Sequence, residues 1–328
     1  NNKNASIFIK TNPMNPLIFK PIYKERVWGG QKLASRLGRT IPQNRPIGES
    51  WEIVDREADQ SIVAEGPHQG KTLNELLKSH GKQIMGPSYQ ADAPFPILVK
   101  WLDCKETLSV QVHPPKEIAS LLNGEPKTES WYILESEPKA QLYLGLIPHT
   151  RLSDFSEAVE QGSLEPLLAH TETQAGDSYL IESGTLHAIG GGNLILEIQQ
   201  NSDTTYRAYD WNRLGLDGKP RELHLEETIK SFVINDLPTL PVRIEGTTSM
   251  LTDCTPFRIT GHKLTPECEP LILPAQESPR LIHVTQGNVT DILTEQSIQF
   301  GDTVLQPYTT EVQLKASQSA TVLITDRF

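Results

Sequence analysis

Between residues 97 and 200 the chain runs as short stretches in which apolar and polar side chains alternate, each closed by a turn signal. Residues 97–101, 108–113, 130–134, 141–144, 177–181 and 194–200 all read this way. A period of two marks a strand whose two faces meet different surroundings. Many such strands with few helices between them require a sandwich or barrel rather than alternating strand and helix units. Helical patterns are confined to three short segments. They are 71–78, with Thr72 placed to cap it; 153–160, opened by Ser153 or Asp154; and 114–123, where Pro114 or Pro115 suits the first turn and Gly124 the stop. The expected fold class is therefore all-β with a few short helices inserted.

A faint repeat points to two such units. Ser130-Trp-Tyr-Ile-Leu-Glu135 followed by Gly176-Asp-Ser-Tyr-Leu-Ile181 is echoed by Arg280-Leu-Ile-His-Val-Thr-Gln-Gly287 followed by Gly301-Asp-Thr-Val-Leu-Gln-Pro307. The second copy lacks a histidine after its second motif, so metal chemistry is expected in the first copy only. The proline pair in Asn235-Asp-Leu-Pro-Thr-Leu-Pro241 and the change of pattern there set a boundary. The expected organisation is a flexible arm over 1–15, a catalytic unit with a helical insertion over 16–236, and a metal-free C-terminal unit over 237–328.

Composition excludes several function classes. A chain of 328 residues is long enough for two cores. Its net charge of −11 comes with acidic and basic residues interspersed, so no basic stripe is available for a nucleic-acid backbone. A cleft can still gather a few cations for an anionic small molecule. No run approaches the ~20 apolar residues of a membrane helix, and residues 1–15 are too polar for a secretory core. Cys104, Cys254 and Cys268 include no CxxC pair and leave one thiol free in any pairing. A reduced, cytoplasmic, monomeric protein is expected.

Chemistry-bearing residues converge in the first copy. Gln111-Val-His113 closes one alternating stretch, and its i, i+2 spacing puts Gln111 and His113 on one face. Lys127-Thr-Glu129 repeats the device at the start of the next, and a glycine-containing turn before His187 lets the chain re-enter a strand with that imidazole directed inward. Gln111, His113, Glu129 and His187 then offer an amide oxygen, two imidazoles and a carboxylate. Nitrogen and oxygen donors without a thiolate suit zinc acting as a Lewis acid, and iron, manganese or cobalt suit the same set. Any one of these residues alone reads as an ordinary satisfied polar group; four with matched facing read as a metal site.

Glu197 and Gln199 share a face, and 201–203 reads as a turn that returns Arg207 to the same place. A carboxylate near a metal and a lysine suits proton transfer, and Arg207 suits an enediolate or a phosphate. Gly190-Gly-Gly192 has no GK[ST] after it and reads as a flexible turn. Trp28-Gly-Gly30 and Gly48-Glu-Ser-Trp-Glu52 read as packing and turn residues rather than as a functional lip.

Taken together, Phe19-Lys-Pro-Ile-Tyr-Lys-Glu-Arg-Val-Trp-Gly-Gly30, Gly48-Glu-Ser-Trp-Glu52, Phe95-Pro-Ile-Leu-Val-Lys100, Leu108-Ser-Val-Gln-Val-His-Pro-Pro-Lys116, Lys127-Thr-Glu-Ser-Trp-Tyr132, Gly184-Thr-Leu-His-Ala-Ile189 and Asn201-Ser-Asp-Thr-Thr-Tyr-Arg207 resemble the type I phosphomannose isomerase family in its compact bacterial form. The motifs stand in the family's order across residues ~17 to 232, and linked motifs are far more specific than single ones. The resemblance implies two cupin (RmlC-like jelly-roll) barrels and one zinc ion on Gln111, His113, Glu129 and His187. It also implies a pocket lined by Lys127, Glu197, Asp203 and Arg207, with Lys100 nearby. The implied reaction interconverts mannose 6-phosphate and fructose 6-phosphate through a cis-enediol. Glu197 is favoured as the base and Asp203 for ring opening or orientation, with Lys127 a competitor for the base. Lys116, Lys100 and Arg207 are the candidate phosphate contacts. Two readings outside the family stay open: a sugar-phosphate-binding cupin without turnover, and another metal-dependent cupin enzyme. Two departures stand out. Glu182-Ser-Gly184 replaces the Pro-Ala-Gly common before the histidine, so that either the turn is less rigid or Glu182 faces solvent; and the C-terminal unit matches only the general cupin pattern, so it is read as a packing partner or a wall of the cleft.

Overall fold

The structure, a computed structural model, describes residues 14–234 and 239–328. The expected arm over 1–15 and the boundary at 236/237 therefore fall wholly or largely outside the described residues. Among the described residues strands dominate, and they form four sheets. One six-stranded sheet runs, edge to edge, through Ile22–Gly30, Ile47–Ile53, Ile97–Cys104, Asn193–Gln200, Glu129–Ser136 and Ser178–Ile181. A five-stranded sheet joins Tyr206–Tyr209, Val110–Val112, His187–Ile189, Gln141–Leu146 and Leu168–Glu172. In the C-terminal part, a second six-stranded sheet contains Leu17–Ile18, Thr303–Gln306, Arg280–Gln286, Ala320–Asp326, Phe257–Leu264 and Thr248–Cys254, and it faces a four-stranded sheet.

The repeat seen in the sequence has a structural counterpart. The strands carrying its two motifs pair antiparallel in both copies, Ser130 opposite Leu180 and Leu281 opposite Leu305. Each first-motif strand also pairs with a long central strand, Asn193–Gln200 in one copy and Ala320–Asp326 in the other. The strand orders of the two six-stranded sheets match from there outward.

The two long central strands of the first sheet are buried on both faces, and alternation tells the faces apart. Val99, Trp101, Leu196 and Ile198 join Leu281, Leu305 and Leu323 in one apolar cluster between the two six-stranded sheets. Leu102, Cys104 and Ile195 turn the other way with Trp131 of the same sheet, into a cluster with Leu142 and Ile189 of the facing five-stranded sheet. That sheet's outer face is covered by the helices Leu152–Gln161 and Leu225–Ser231. The seam between the six-stranded sheets also carries polar ties. Trp101 Nε1 and Arg39 both donate to Gly301 O, at 3.0 and 2.7 Å, and the Ser130 and Thr252 hydroxyls lie 2.8 Å apart.

The helix expected over 71–78 runs as Leu73–Met85, with Thr72 and Glu75 forming a reciprocal cap. That expected over 153–160 runs as Leu152–Gln161, preceded by Arg151 rather than capped by Ser153 or Asp154. The segment 114–123 gives Lys116–Ala119 and a 3-10 turn, Ser120–Leu122, ending on a left-handed Asn123. Gly190 to Gly192 form a turn that is largely buried, so close packing holds it rather than flexibility.

Candidate active site

The cavity lies between the first six-stranded sheet and the five-stranded sheet, and strand register alone assembles most of it. In the five-stranded sheet Gln111 stands directly between Arg207 and His187. In the facing sheet Glu197 stands between Lys100 and Trp131, and Glu129 lies opposite Gln199. Side chains at matched positions of neighbouring strands share a face, so two rows converge. Lys100, Gln111, Lys127, Glu197, Asp203 and Arg207 all line the resulting cavity of about 560 Å³.

Next to Gln111 and Lys127, which line it, ligand atoms of His113, Glu129 and His187 lie within 4.8 Å of one another, all three residues buried. His113 Nε2 is 3.6 Å from Glu129 Oε2, and His187 Nε2 is 3.4 Å from Glu129 Oε1. The Gln111 amide nitrogen, not the oxygen expected as a ligand, is 3.3 Å from His187 Nε2, and turning the amide over presents the oxygen there. Donors about 2.1 Å from a tetrahedral ion stand roughly 3.4 Å from each other, so the spacing fits one ion. Each histidine donates Nδ1–H to a backbone carbonyl, His113 to Thr204 O and His187 to Thr185 O, both at 2.8 Å. That fixes the tautomer and leaves the Nε2 lone pairs facing Glu129, the usual outer support of a metal-binding imidazole. Both Glu129 oxygens are buried without a well-aligned hydrogen-bond partner, although Lys127 Nζ lies 2.6 Å from Oε2. A buried carboxylate with no well-aligned hydrogen bond, set between two imidazole nitrogens whose nearest other neighbours are Lys127 Nζ and the Gln111 amide, both at 3.3 Å, is the condition a bound cation relieves.

Electrostatics follows from burial. Desolvation, with the Lys127 charge beside it, pushes His113 down to about 3, and desolvation likewise lowers His187. Both rings are neutral, as metal ligands must be. Burial alone would raise Glu129, but the Lys127 charge beside it holds it well below the usual carboxylate range. Burial and the Glu129 charge push Glu197 up. Glu197 Oε1 lies 3.4 Å from Lys100 Nζ and 3.9 Å from Lys127 Nζ, and Oε2 accepts from Trp131 Nε1 at 3.1 Å. Burial alone would lower Lys127, yet Glu129 and Glu197 outweigh it and raise the ammonium above its ordinary value. The lowered pKa that would suit Lys127 as a base is thus not what its surroundings produce.

One candidate is not brought in. Lys116 opens the short helix after Pro115, is exposed, and is absent from the cavity lining, because Pro115 ends the extended run that carries His113. Glu182 faces solvent, while Ser183 accepts a hydrogen bond from Lys127 N and so steadies the turn before His187. Several lining residues lie outside the candidate set, among them Arg26, Trp28, Glu49 and Arg221. Glu49 is held down to about 2: burial opposes this, but the charges of Lys100 and Arg26 prevail. Arg26 grips it with two nitrogens, and Trp51 Nε1 donates to it at 2.6 Å. The lip first read as packing thus fixes a buried carboxylate beside Lys100. All described lining residues fall between 25 and 221, so the C-terminal part packs against the catalytic sheet without walling the cavity.

Comparison with known proteins agrees with this geometry. Residues 17–158 match the family model for the catalytic domain of type I phosphomannose isomerase. A mannose-6-phosphate isomerase of Bacillus subtilis is 40% identical over 305 residues, covering 89% of this chain and 93% of that one. The crystal structure of a mannose 6-phosphate isomerase from Bacillus subtilis superposes with a TM-score of 0.82 at 30% identity, covering 95% of this chain and 99% of the other. A mannose 6-phosphate isomerase crystallised with zinc and yttrium superposes with a TM-score of 0.74 over 94% of this chain and 99% of its own; at 15% identity the likeness is one of fold alone.

Proposed function

The chain belongs to the type I phosphomannose isomerase family, and we propose that it interconverts D-mannose 6-phosphate and D-fructose 6-phosphate by proton transfer between C1 and C2 through a cis-enediol. The observation that carries this reading is the buried His113, Glu129 and His187 cluster standing directly beside Lys127, which lines one cavity with Glu197. Zinc on Gln111, His113, Glu129 and His187 would supply Lewis-acid polarisation of the sugar oxygens.

The chain's own residues supply the rest. Glu197 takes the proton from one carbon and returns it to the other, since its burial raises its proton affinity and Trp131 orients it. Lys100 and Lys127 flank that carboxylate and fix its Oε1, and Lys127 is the competing base. Arg207 steadies negative charge developing across C1 and C2, and Asp203 at the rim orients the sugar or assists ring opening. On this reading the two matched sheet pairs are cupin barrels, with catalysis in 16–236 and a metal-free partner in 237–328. The enzyme works as a cytoplasmic monomer, and none of the described helices is long and apolar enough to cross a membrane.

The test is isomerisation of mannose 6-phosphate by the pure protein before chelation, after it, and after zinc is returned. Activity that vanishes and recovers supports the reading. Inactivity with zinc demonstrably bound removes it.

A further inference from the structure

Beyond Tyr206–Tyr209 the chain folds back on itself, with an isolated bridge between Leu214 and Pro220. Trp211 and Asn212 both adopt left-handed backbone, with φ of 56° and 51°. A side chain as large as tryptophan enters that region only where its surroundings impose it. Here they do. Trp211 Nε1 donates to Leu108 O at 2.7 Å, Arg213 NH1 donates to Thr107 O at 2.5 Å, and the Asp210 carboxylate, whose side chain is 6% exposed, sits between two arginines.

Those arginines are not equivalent. Arg213 spends every nitrogen on the protein, Nε and NH2 on Asp210 Oδ1 and NH1 on Thr107 O, and it is absent from the cavity lining. Arg221 spends Nε and NH2 on Asp210, at 2.7 and 2.5 Å, and lines the cavity; its NH1 has no acceptor among the described residues. Arg207 lies close by. It donates NH1 to Glu222 O at 2.7 Å, and its buried Nε has no partner. One carboxylate thus stands against three guanidiniums, and burial followed by the Arg221 charge lowers the pKa of Arg207. Asp217 and Asp203 also line the cavity; Asp217 accepts from Lys219 N, and Asp203 is exposed at the rim.

We propose that Arg221, gripped edge-on by Asp210 and braced through Arg213 and Trp211, is the residue that recognises the phosphate ester of the substrate, leaving Arg207 for the sugar's reacting end. This rests on the isomerase reading and assigns its anionic end. Asp210 is a positioning residue: it fixes the plane of the Arg221 guanidinium at the cavity lining and leaves NH1 unspent, and a planar fork held in advance loses little freedom on binding a phosphate. The field left by the unbalanced cluster draws a dianion in preference to a neutral sugar.

The experiment measures KM and kcat for mannose 6-phosphate, together with competitive inhibition by inorganic phosphate. It compares the wild type with Arg221→Gln, Arg221→Lys and Asp210→Asn. For Arg221→Gln, KM and the inhibition constant of phosphate rise together by about 10- to 100-fold, while kcat changes much less. Arg221→Lys recovers part of the loss, and Asp210→Asn moves both constants in the same direction by less. If Arg221→Gln does not fold, Arg221→Lys and Asp210→Asn carry the same comparison against wild type. KM and phosphate inhibition both within twofold of wild type overturn the assignment and leave the isomerase reading standing. A wild type that is inactive, yet binds inorganic phosphate in an Arg221-dependent way by calorimetry, removes the isomerase reading and keeps the anion subsite.

Discussion

With both Nδ1 positions committed to carbonyls, His113 and His187 have only Nε2 to offer, and among the described residues Glu129 is the carboxylate that meets both. Truncating a ligand therefore removes the ion and the chemistry together. Glu129→Ala and His187→Ala should each lose bound zinc, measured by elemental analysis, and activity with it. Arg207→Ala should keep its zinc and lose turnover by about 10²- to 10³-fold. Equal metal content in all three variants contradicts the ligand assignment. Glu197 supplies a pH test. A base works when deprotonated, so the acid limb of the rate profile follows its raised pKa, above the ordinary carboxylate range. Trp131→Phe removes an N–H that favours the charged form, and the limb should move to higher pH by about half a unit to one unit. An unmoved limb detaches Glu197 from the base role. Gln111, His113, Glu129 and Glu197 were legible because i, i+2 spacing states which side chains share a face. Glu49, Asp210 and Arg221 were not, because a fold-back loop and a buried ion pair bring them together and neither leaves a period in the sequence.

Single elements were legible to the extent that local physics fixes them. Thr72 and Glu75 announce the start of Leu73–Met85, whereas Leu225–Ser231 has no side-chain cap and forms by packing against the five-stranded sheet. His283 shows what sequence does not reveal. It was one letter of a repeat, yet in the strand Arg280–Gln286 it is fully buried, with Nδ1 and Nε2 each 3.0 Å from the hydroxyls of Thr303 and Thr325 on the neighbouring strands. Burial pushes it down to about 3. The unfolded chain binds a proton near pH 6.5 that the folded chain refuses. The ring's contribution is therefore fully present above about 6.5 and is lost as pH falls towards about 3, with a slope of at most about 1.4 kcal/mol per pH unit. Denaturant melts from pH 7 to 5 should show that slope reduced in His283→Gln, and an unchanged slope places the ring's titration elsewhere.

At the scale of the whole molecule, the repeat corresponds to matching strand pairings in the two six-stranded sheets, and it does not say how far those sheets depend on each other. The apolar cluster at their seam draws Trp101, Leu196 and Ile198 from one and Leu281, Leu305 and Leu323 from the other, and Leu17–Ile18 pairs with Leu305 and Val304. A chain cut at residue 236 exposes that cluster and should be insoluble or bind a hydrophobic dye. The full chain should unfold in one transition seen alike by circular dichroism and tryptophan fluorescence. A soluble truncated chain with its own sharp melt would show the halves to be independent. The strands Ile97–Cys104 and Asn193–Gln200 carry a consequence for how this protein can change over time. Lys100 and Glu197 are interleaved, letter by letter, with the residues of the seam, so inserting or deleting one residue swaps the cavity's charged groups into the oily joint and oily groups into the cavity. Point substitutions can be sampled one at a time along these two strands, but length changes cannot, and the variety open to the lineage must come from loops such as 210–222.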